Sequence, residues 1–188
     1  HLHADHTGGL RSALDGRSVG AVAVGSAREP AWAYERVRRI AGERRVPVLE
    51  LRPGQRLSWP SLVLEVLGPS EPIGPVDPED GTDVNNTSVV LRADTVGGAL
   101  LLTGDIELLA QARLLGEGAQ LRADVLKLPH HGSRYTSPEF LAAVSPRLVL
   151  VSVGAGNRYG HPNDALLNAL RQRGARTQTT PGGLGDSS

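Results

Sequence analysis

Residues 1–6 read His1-Leu2-His3-Ala4-Asp5-His6, and no other stretch limits so tightly what the chain can become. Three imidazoles and a carboxylate fall within six residues of a sequence that has no cysteine, so the donors on offer are nitrogen and oxygen. Extended as far as Asp5, the segment sets His1, His3 and Asp5 on one side by the two-residue period of a strand. The glycine pair Gly8-Gly9 then supplies the bend that His6 needs. His1 and His3 would grip one cation while Asp5 and His6 face a second, an arrangement able to hold a water between two charges and lower its pKa towards neutrality. A polar loop or a remnant of a histidine tag is the plainer reading. A tag carries no aspartate at this spacing and is not echoed downstream, whereas His130, His131 and His161 each stand in a Gly- or Pro-punctuated turn.

Composition narrows the function classes. With 188 residues the chain has room for one domain with a real core. Formal net charge is zero, 20 basic against 20 acidic side chains, so no global field draws the protein to nucleic acid or membrane. A polyanionic substrate would have to be held locally. Aromatics make up 3% of the residues, too few to line a continuous stacking track along a single strand. Disulfide and thiolate chemistry is excluded, and no apolar run of 18 residues is present to span a bilayer. The sequence starts with His and contains no Met, which suggests a fragment whose upstream part supplies strands of the same sheet.

Periodicity and punctuation predict strands near residues 20–25, 46–51, 61–67, 88–93, 99–103, 124–128, 147–153 and 175–179. Helices are expected over 10–14, 31–45, 106–116, from Ser137-Pro138-Glu139 onwards, and over 163–174 with Asn163 as cap. Trp32, Val37 and Ile40 should share the buried face of the second of these, with its arginines in solvent. Residues 68–81 read as a loop and 181–188 as a frayed tail, leaving 1–180 as the domain. Strands interleaved with helices, with chemistry at the strand ends, favour an α/β (α+β) fold of layered sheets with helices outside.

Further chemical positions lie where apolar strands end. Asp105 follows Leu100-Leu101-Leu102-Thr103-Gly104, where its two oxygens can bridge two cations or its side chain can cap a helix starting at Ile106. His130 and His131 follow Val125-Leu126-Lys127-Leu128; neighbouring side chains on extended backbone point apart, so one coordinates and the other orients it or holds substrate. His161 is a further metal ligand or a proton donor to a leaving group. Arg134, Arg158 and Tyr159 stand near these turns, where an anionic substrate would sit.

His1-Leu2-His3-Ala4-Asp5-His6 resembles the HxHxDH signature of the metallo-β-lactamase superfamily, which implies an αββα sandwich, here with its N-terminal strands missing. Four further segments resemble the C-terminal domain of the ComEC family of DNA-internalisation competence proteins. They are residues 85–90 (NNTSVV), 101–105 (LLTGD), 126–133 (LKLPHHGS) and 152–162 (SVGAGNRYGHP). The resemblance implies metal positions at His1, His3, Asp5, His6, Asp105, His130, His131 and His161, with Asp5, Asp105 and His161 carrying the chemistry. Asn86, Ser133 and Arg158 are assigned to substrate. One departure is the lack of any histidine between His6 and Asp105, where Asn85-Asn86 stands. It leaves the first cation to borrow a downstream histidine or to be weakly held.

The function so implied is a metal-dependent hydrolase with two divalent ions, zinc or manganese, cleaving phosphodiester bonds of the DNA strand that is not imported. By the same resemblance DNA, single-stranded or duplex, is the substrate and the membrane channel of a longer parent protein is the partner; no soluble protein partner is implied. The domain itself would be soluble, on the extracytoplasmic side of the membrane. The same centre would also serve hydrolysis of a small ester, lactone or thioester, and a catalytically weak DNA-binding or scaffolding domain is the non-enzymatic alternative.

Overall fold

The structure is a computed structural model that describes residues 1–69, 75–154 and 157–180; the expected frayed tail and part of the 68–81 loop lie outside the described residues. Two short helices, α1 (Ala4–Thr7) and α2 (Leu10–Leu14), precede β1 (Val22–Val24), α3 (Ala31–Glu43) and β2 (Val48–Glu50). The strands β3 (Arg56–Trp59), β4 (Leu62–Gly68), β5 (Val90–Thr95), β6 (Gly98–Leu102), β7 (Val125–Lys127), β8 (Leu148–Val151) and β9 (Arg176–Thr179) form one sheet in sequential order. A short α4 (Gly81–Asn85) leads into β5, and α5 (Leu108–Gly116), α6 (Pro138–Val144) and α7 (Asp164–Gln172) are the crossovers between β6, β7, β8 and β9.

β1 and β2 pair in parallel as a separate two-stranded sheet. In the large sheet β3 to β6 run antiparallel and β6 to β9 parallel. One core joins Leu101, Leu126 and Val149 of the strands to Leu114, Phe140 and Leu170 of the crossover helices. Leu101, Leu126, Val149 and Phe140 are fully buried, and each such side chain contributes about 1.5–3 kcal/mol. A smaller core of Leu2, Val24, Ala33 and Val37 glues α3 to the small sheet. The layers therefore run helix, sheet, sheet, helix, the mixed α/β sandwich that the sequence implied. An apolar cleft of about 510 Å³ opens between the sheets, lined by Leu10, Val22, Val24, Val37 and Val89 and reaching His1 and His6.

Several local expectations change. Trp32 is 57% exposed, because Ala33, Val37, Ile40 and Ala41 make the tighter buried stripe and turn its indole outwards. Arg38 and Arg39 pair with Glu35 and Glu43 on the solvent side, as a solvated helix face should. The helix expected from Ile106 begins at Leu108, with Ile106 buried in the core and Glu107 at the cap position. β3 pairs its four residues with the whole first half of β4, a strand that short local pattern did not reveal. Ser137 and Asn163 cap α6 and α7 through their side chains as expected.

Candidate metal centre

Three parallel strand ends fix the site. Open α/β sheets bind ligands beyond the carboxyl ends of their strands, and here Asp105 follows β6, His130 and His131 follow β7, and Ser152 to His161 follow β8. The first motif is brought to the same edge by Leu2, which is buried under β1.

That motif is not extended through Asp5. His3 is the last extended residue, with φ −61° and ψ 156°, and α1 starts at Ala4. The His3 carbonyl accepts from the N–H groups of His6 and Thr7 and from the Thr7 hydroxyl, so the chain turns before the glycines rather than at them. Gly8 serves another purpose: a Cβ there would stand 2.7 Å from the Ala4 carbonyl oxygen.

Two groups of donors result. Asp5, His6, Asp105 and His131 present ligand atoms that all lie within 4.8 Å of one another, and so do His1, His3 and Asp5. Asp5 belongs to both. In the first group Asp105 Oδ2 is 3.0 Å from His6 Nε2 and 3.2 Å from His131 Nε2, while His131 Nε2 is 3.1 Å from Asp5 Oδ2. His1 Nε2 points at the same Oδ2 from 3.9 Å, and the His1 side chain is wholly buried. Its Nδ1 meets the Ser88 hydroxyl at 2.8 Å, but Nε2 has no hydrogen-bond partner. A buried nitrogen left unpaired costs about 1–3 kcal/mol. A divalent cation would satisfy it, so the residues present fit a metal.

The two oxygens of Asp105 face different partners. Its Oδ1 is taken by the ammonium of Lys127 at 3.3 Å, which also donates to the Gly104 carbonyl at 2.9 Å, and only Oδ2 faces the imidazoles. Sequence reading passed over Lys127, although it is the one lysine of the chain. On β7 its side chain points to the ligand edge, a signal that strand register carries. The Asp105 backbone N–H donates to Ser88 Oγ, so one hydroxyl ties the Asp105 turn to His1. Gly104, at φ +52°, is held where a Cβ would collide with Ser88 at 2.6 Å, which makes glycine a requirement of that tie.

His130 and His131 divide their tasks. Both lie in the left-handed region, φ 42° and 54°, inside the 3₁₀ turn of residues 129–132, so strand alternation is not what parts them. Non-glycine residues held there store about 1–3 kcal/mol each. His131 joins the donor group, with Nδ1 on the Ser152 carbonyl. His130 turns to Glu107, its Nδ1 3.0 Å from Oε1. Glu107 is buried and receives hydrogen bonds from Asn85 Nδ2 and Thr82 Oγ1, a supporting carboxylate that its place in the sequence does not single out.

The remaining expected site residues are placed elsewhere. His161 stands 5.2 Å from the His130 ring, and neither of these two enters a donor group, so no downstream histidine completes the His1–His3 set among the described residues. Asn86 Oδ1 accepts from the N–H groups of Glu107 and Ala110, capping α5. Ser133 is 1% exposed and its hydroxyl accepts from the Tyr135 N–H. Arg158 is exposed.

Electrostatics follow from the geometry. Burial pushes the Asp105 carboxyl up, but hydrogen bonds from His131 and His6 and the charge of Lys127 outweigh it and hold its pKa well below the carboxylate range. The hydrogen bond from His131 lowers Asp5. His131 is raised to about 10, by Asp105 first and Asp5 second, whereas burial lowers His3 and Lys127. A cation entering the group must displace the His131 proton. Its apparent affinity should therefore rise about tenfold per pH unit from pH 7 to 9, as loss of one proton requires, in competition titrations with a chelator; a flat profile would contradict the arrangement. Without metal the sign reverses for stability. The His131 contribution is complete below its ordinary 6.5 and is lost as pH rises through about 10, while the Asp5 and Asp105 contributions are lost as pH falls below their ordinary 3.8.

An α/β sandwich with a histidine and aspartate centre at one sheet edge defines a metallo-β-lactamase-like domain. Comparison with known proteins makes this more particular. The chain is 32% identical over 183 residues to ComE operon protein 3 of Bacillus subtilis (strain 168) and 35% identical over 184 residues to competence protein ComA of Neisseria gonorrhoeae, in each case over 96% of this chain. Over this stretch it is similar to proteins of the ComEC family. It spans 22% and 23% of the length of those two relatives. No family model matches the chain. Among solved structures, a putative metal-dependent hydrolase from Parabacteroides distasonis ATCC 8503 aligns over 80% of this chain and 69% of its own, with a TM-score of 0.47 and 15% identity, a likeness that says nothing of activity. No helix among the described residues is long and apolar enough to cross a membrane.

Proposed function

We propose that this domain hydrolyses phosphodiester bonds of DNA with two divalent cations, zinc or manganese, as the extracytoplasmic part of a membrane-anchored competence protein. The observation that carries the reading is the pair of donor groups sharing Asp5, with Asp105 Oδ2 among three of the imidazoles. The name of one relative, competence protein ComA, favours DNA over a lactone or thioester.

His6, Asp105 and His131 would hold one cation, His1 and His3 the other, with Asp5 between them. Divalent cations supply Lewis acidity at the phosphoryl oxygen and make water a nucleophile near neutral pH. Lys127 fixes the Asp105 carboxylate by one oxygen and keeps the other aimed at the imidazoles. Ser88 holds the His1 ring by Nδ1, which leaves Nε2 as the ligand nitrogen. Beside Asp5 and His131, His161 lines a cleft where a departing oxygen would need a proton. Burial lowers its pKa, and an anionic phosphate next to the ring would raise it again.

Metal-reconstituted protein should cleave single-stranded DNA and bis(p-nitrophenyl) phosphate and leave nitrocefin and a thioester intact. Hydrolysis of the thioester or β-lactam at a higher kcat/KM than any phosphodiester would overturn the reading.

A further inference from the structure

Next to the metal centre lies a second cavity, of about 500 Å³, of which the proposed chemistry uses only the His161 side. Asp5 and His131 form its inner wall, and Val153, Asn157, Tyr159 and His161 are on the outer side. A molecule reacting at Asp5 and His131 must therefore place one of its substituents here. Apart from that inner wall and His161 no ionisable group of strong charge lines it among the described residues, so the cavity does not suit a phosphate. It suits a flat, uncharged group.

The outer wall is built for such a group. Tyr159 is 86% exposed, an aromatic ring left in water in a chain that has few. Its position is nevertheless set: the Tyr159 N–H donates to Asn157 Oδ1 at 2.8 Å, and Asn157 Nδ2 donates to the His161 carbonyl. The Tyr159 and His161 rings lie within 19° of parallel, with centroids 6.4 Å apart. Two near-parallel rings beside one cleft make a stacking platform, and every nucleobase has a face to offer it. Asn157, the one amide in the wall among the described residues, spends its Oδ1 and one N–H on its own loop, and a stacking platform is tolerant of base identity because every base has a face.

We infer that this cavity takes the nucleobase of the nucleotide adjoining the scissile phosphate, with Tyr159 as the stacking residue and without preference for sequence. The inference rests on the phosphodiesterase reading for the position of the phosphate, and a binding arm separates the two. Thymidine 5′-monophosphate and 2-deoxyribose 5-phosphate are titrated calorimetrically into the manganese-loaded protein. The nucleotide should bind at least about tenfold more tightly, the lower part of the range for a base stacked on an aromatic side chain. Tyr159→Ala should erase that difference and Tyr159→Phe keep it, with metal content unaltered in both. In turnover, the ratio of kcat/KM between oligothymidylate and the same oligomer with abasic sites should fall about tenfold in Tyr159→Ala, through KM. Equal binding of the two ligands, or a Tyr159→Ala effect of the same size on abasic DNA, overturns the inference. Base-dependent binding in a protein that cuts no DNA would sink the phosphodiesterase reading and leave the base site standing. Cleavage indifferent to base and to Tyr159 would do the opposite.

Discussion

Asp105→Asn should leave the protein without stoichiometric metal and without measurable hydrolysis. The side chain is 2% exposed overall, and its Oδ2 is the atom that His1, His6 and His131 converge on. An amide keeps the shape and the contact to Lys127 through Oδ1, but offers the cations no negative charge. Loss of an outer partner alone lowers metal affinity about 10–100-fold, and loss of a carboxylate ligand itself should exceed that range. Alanine is the poorer probe, because it strands the Lys127 ammonium at a side-chain exposure of 17%; breaking a buried pair costs about 3–5 kcal/mol. Asp105→Ala combined with Lys127→Met should recover most of the melting temperature and none of the metal. Elemental analysis settles the matter: one or two equivalents of metal retained by Asp105→Asn would remove Asp105 from the centre.

The three late histidines should separate into three kinds. His131→Ala deletes a nitrogen within 3.2 Å of both carboxylates and should lose metal by more than about 100-fold. His130→Ala removes the partner of Glu107 and should weaken metal about 10–100-fold or less, as an outer contact does. His161→Ala should keep its metal and slow DNA cleavage by about 10²–10⁴, the range for a lost general acid. A nitrophenyl leaving group needs no proton, so bis(p-nitrophenyl) phosphate should restore His161→Ala towards the parent rate and leave His131→Ala inactive. Equal rescue of all three variants would erase the division.

How much of this could be read beforehand depends on what each signal is made of. The donors of the first motif, Asp105 and the late histidines are visible because chemistry concentrates in residue types, and the parallel strands are visible because Leu100 to Leu102, Val125 to Leu128 and Leu148 to Val151 are short apolar runs. The conformation of the motif was not visible. Whether Ala4 starts a helix is decided by hydrogen bonds to the His3 carbonyl, which compete on nearly equal terms with an extended chain. The choice between His130 and His131 is set by two left-handed residues that no propensity favours. Lys127 and Glu107 were hidden for another reason: each is ordinary in sequence, and becomes special only when β7 aims it at Asp105 or α5 buries it beside Asn85. Asn86 shows the converse, a residue of a suggestive motif whose amide is consumed in capping α5.

The parallel half of the sheet has a bearing on how such a domain can be altered. The metal donors that follow β6 and β7 sit on turns of a few residues, pinned by Ser88 and Lys127, while the Tyr159 loop follows β8 and meets the centre through the His131 contact to Ser152 and the His161 ring beside His130. Metal binding and grip on the polymer thus belong to separate pieces of the chain. A graft of residues 153–160 from a distant relative, with His161 kept, should exchange the second without disturbing the first.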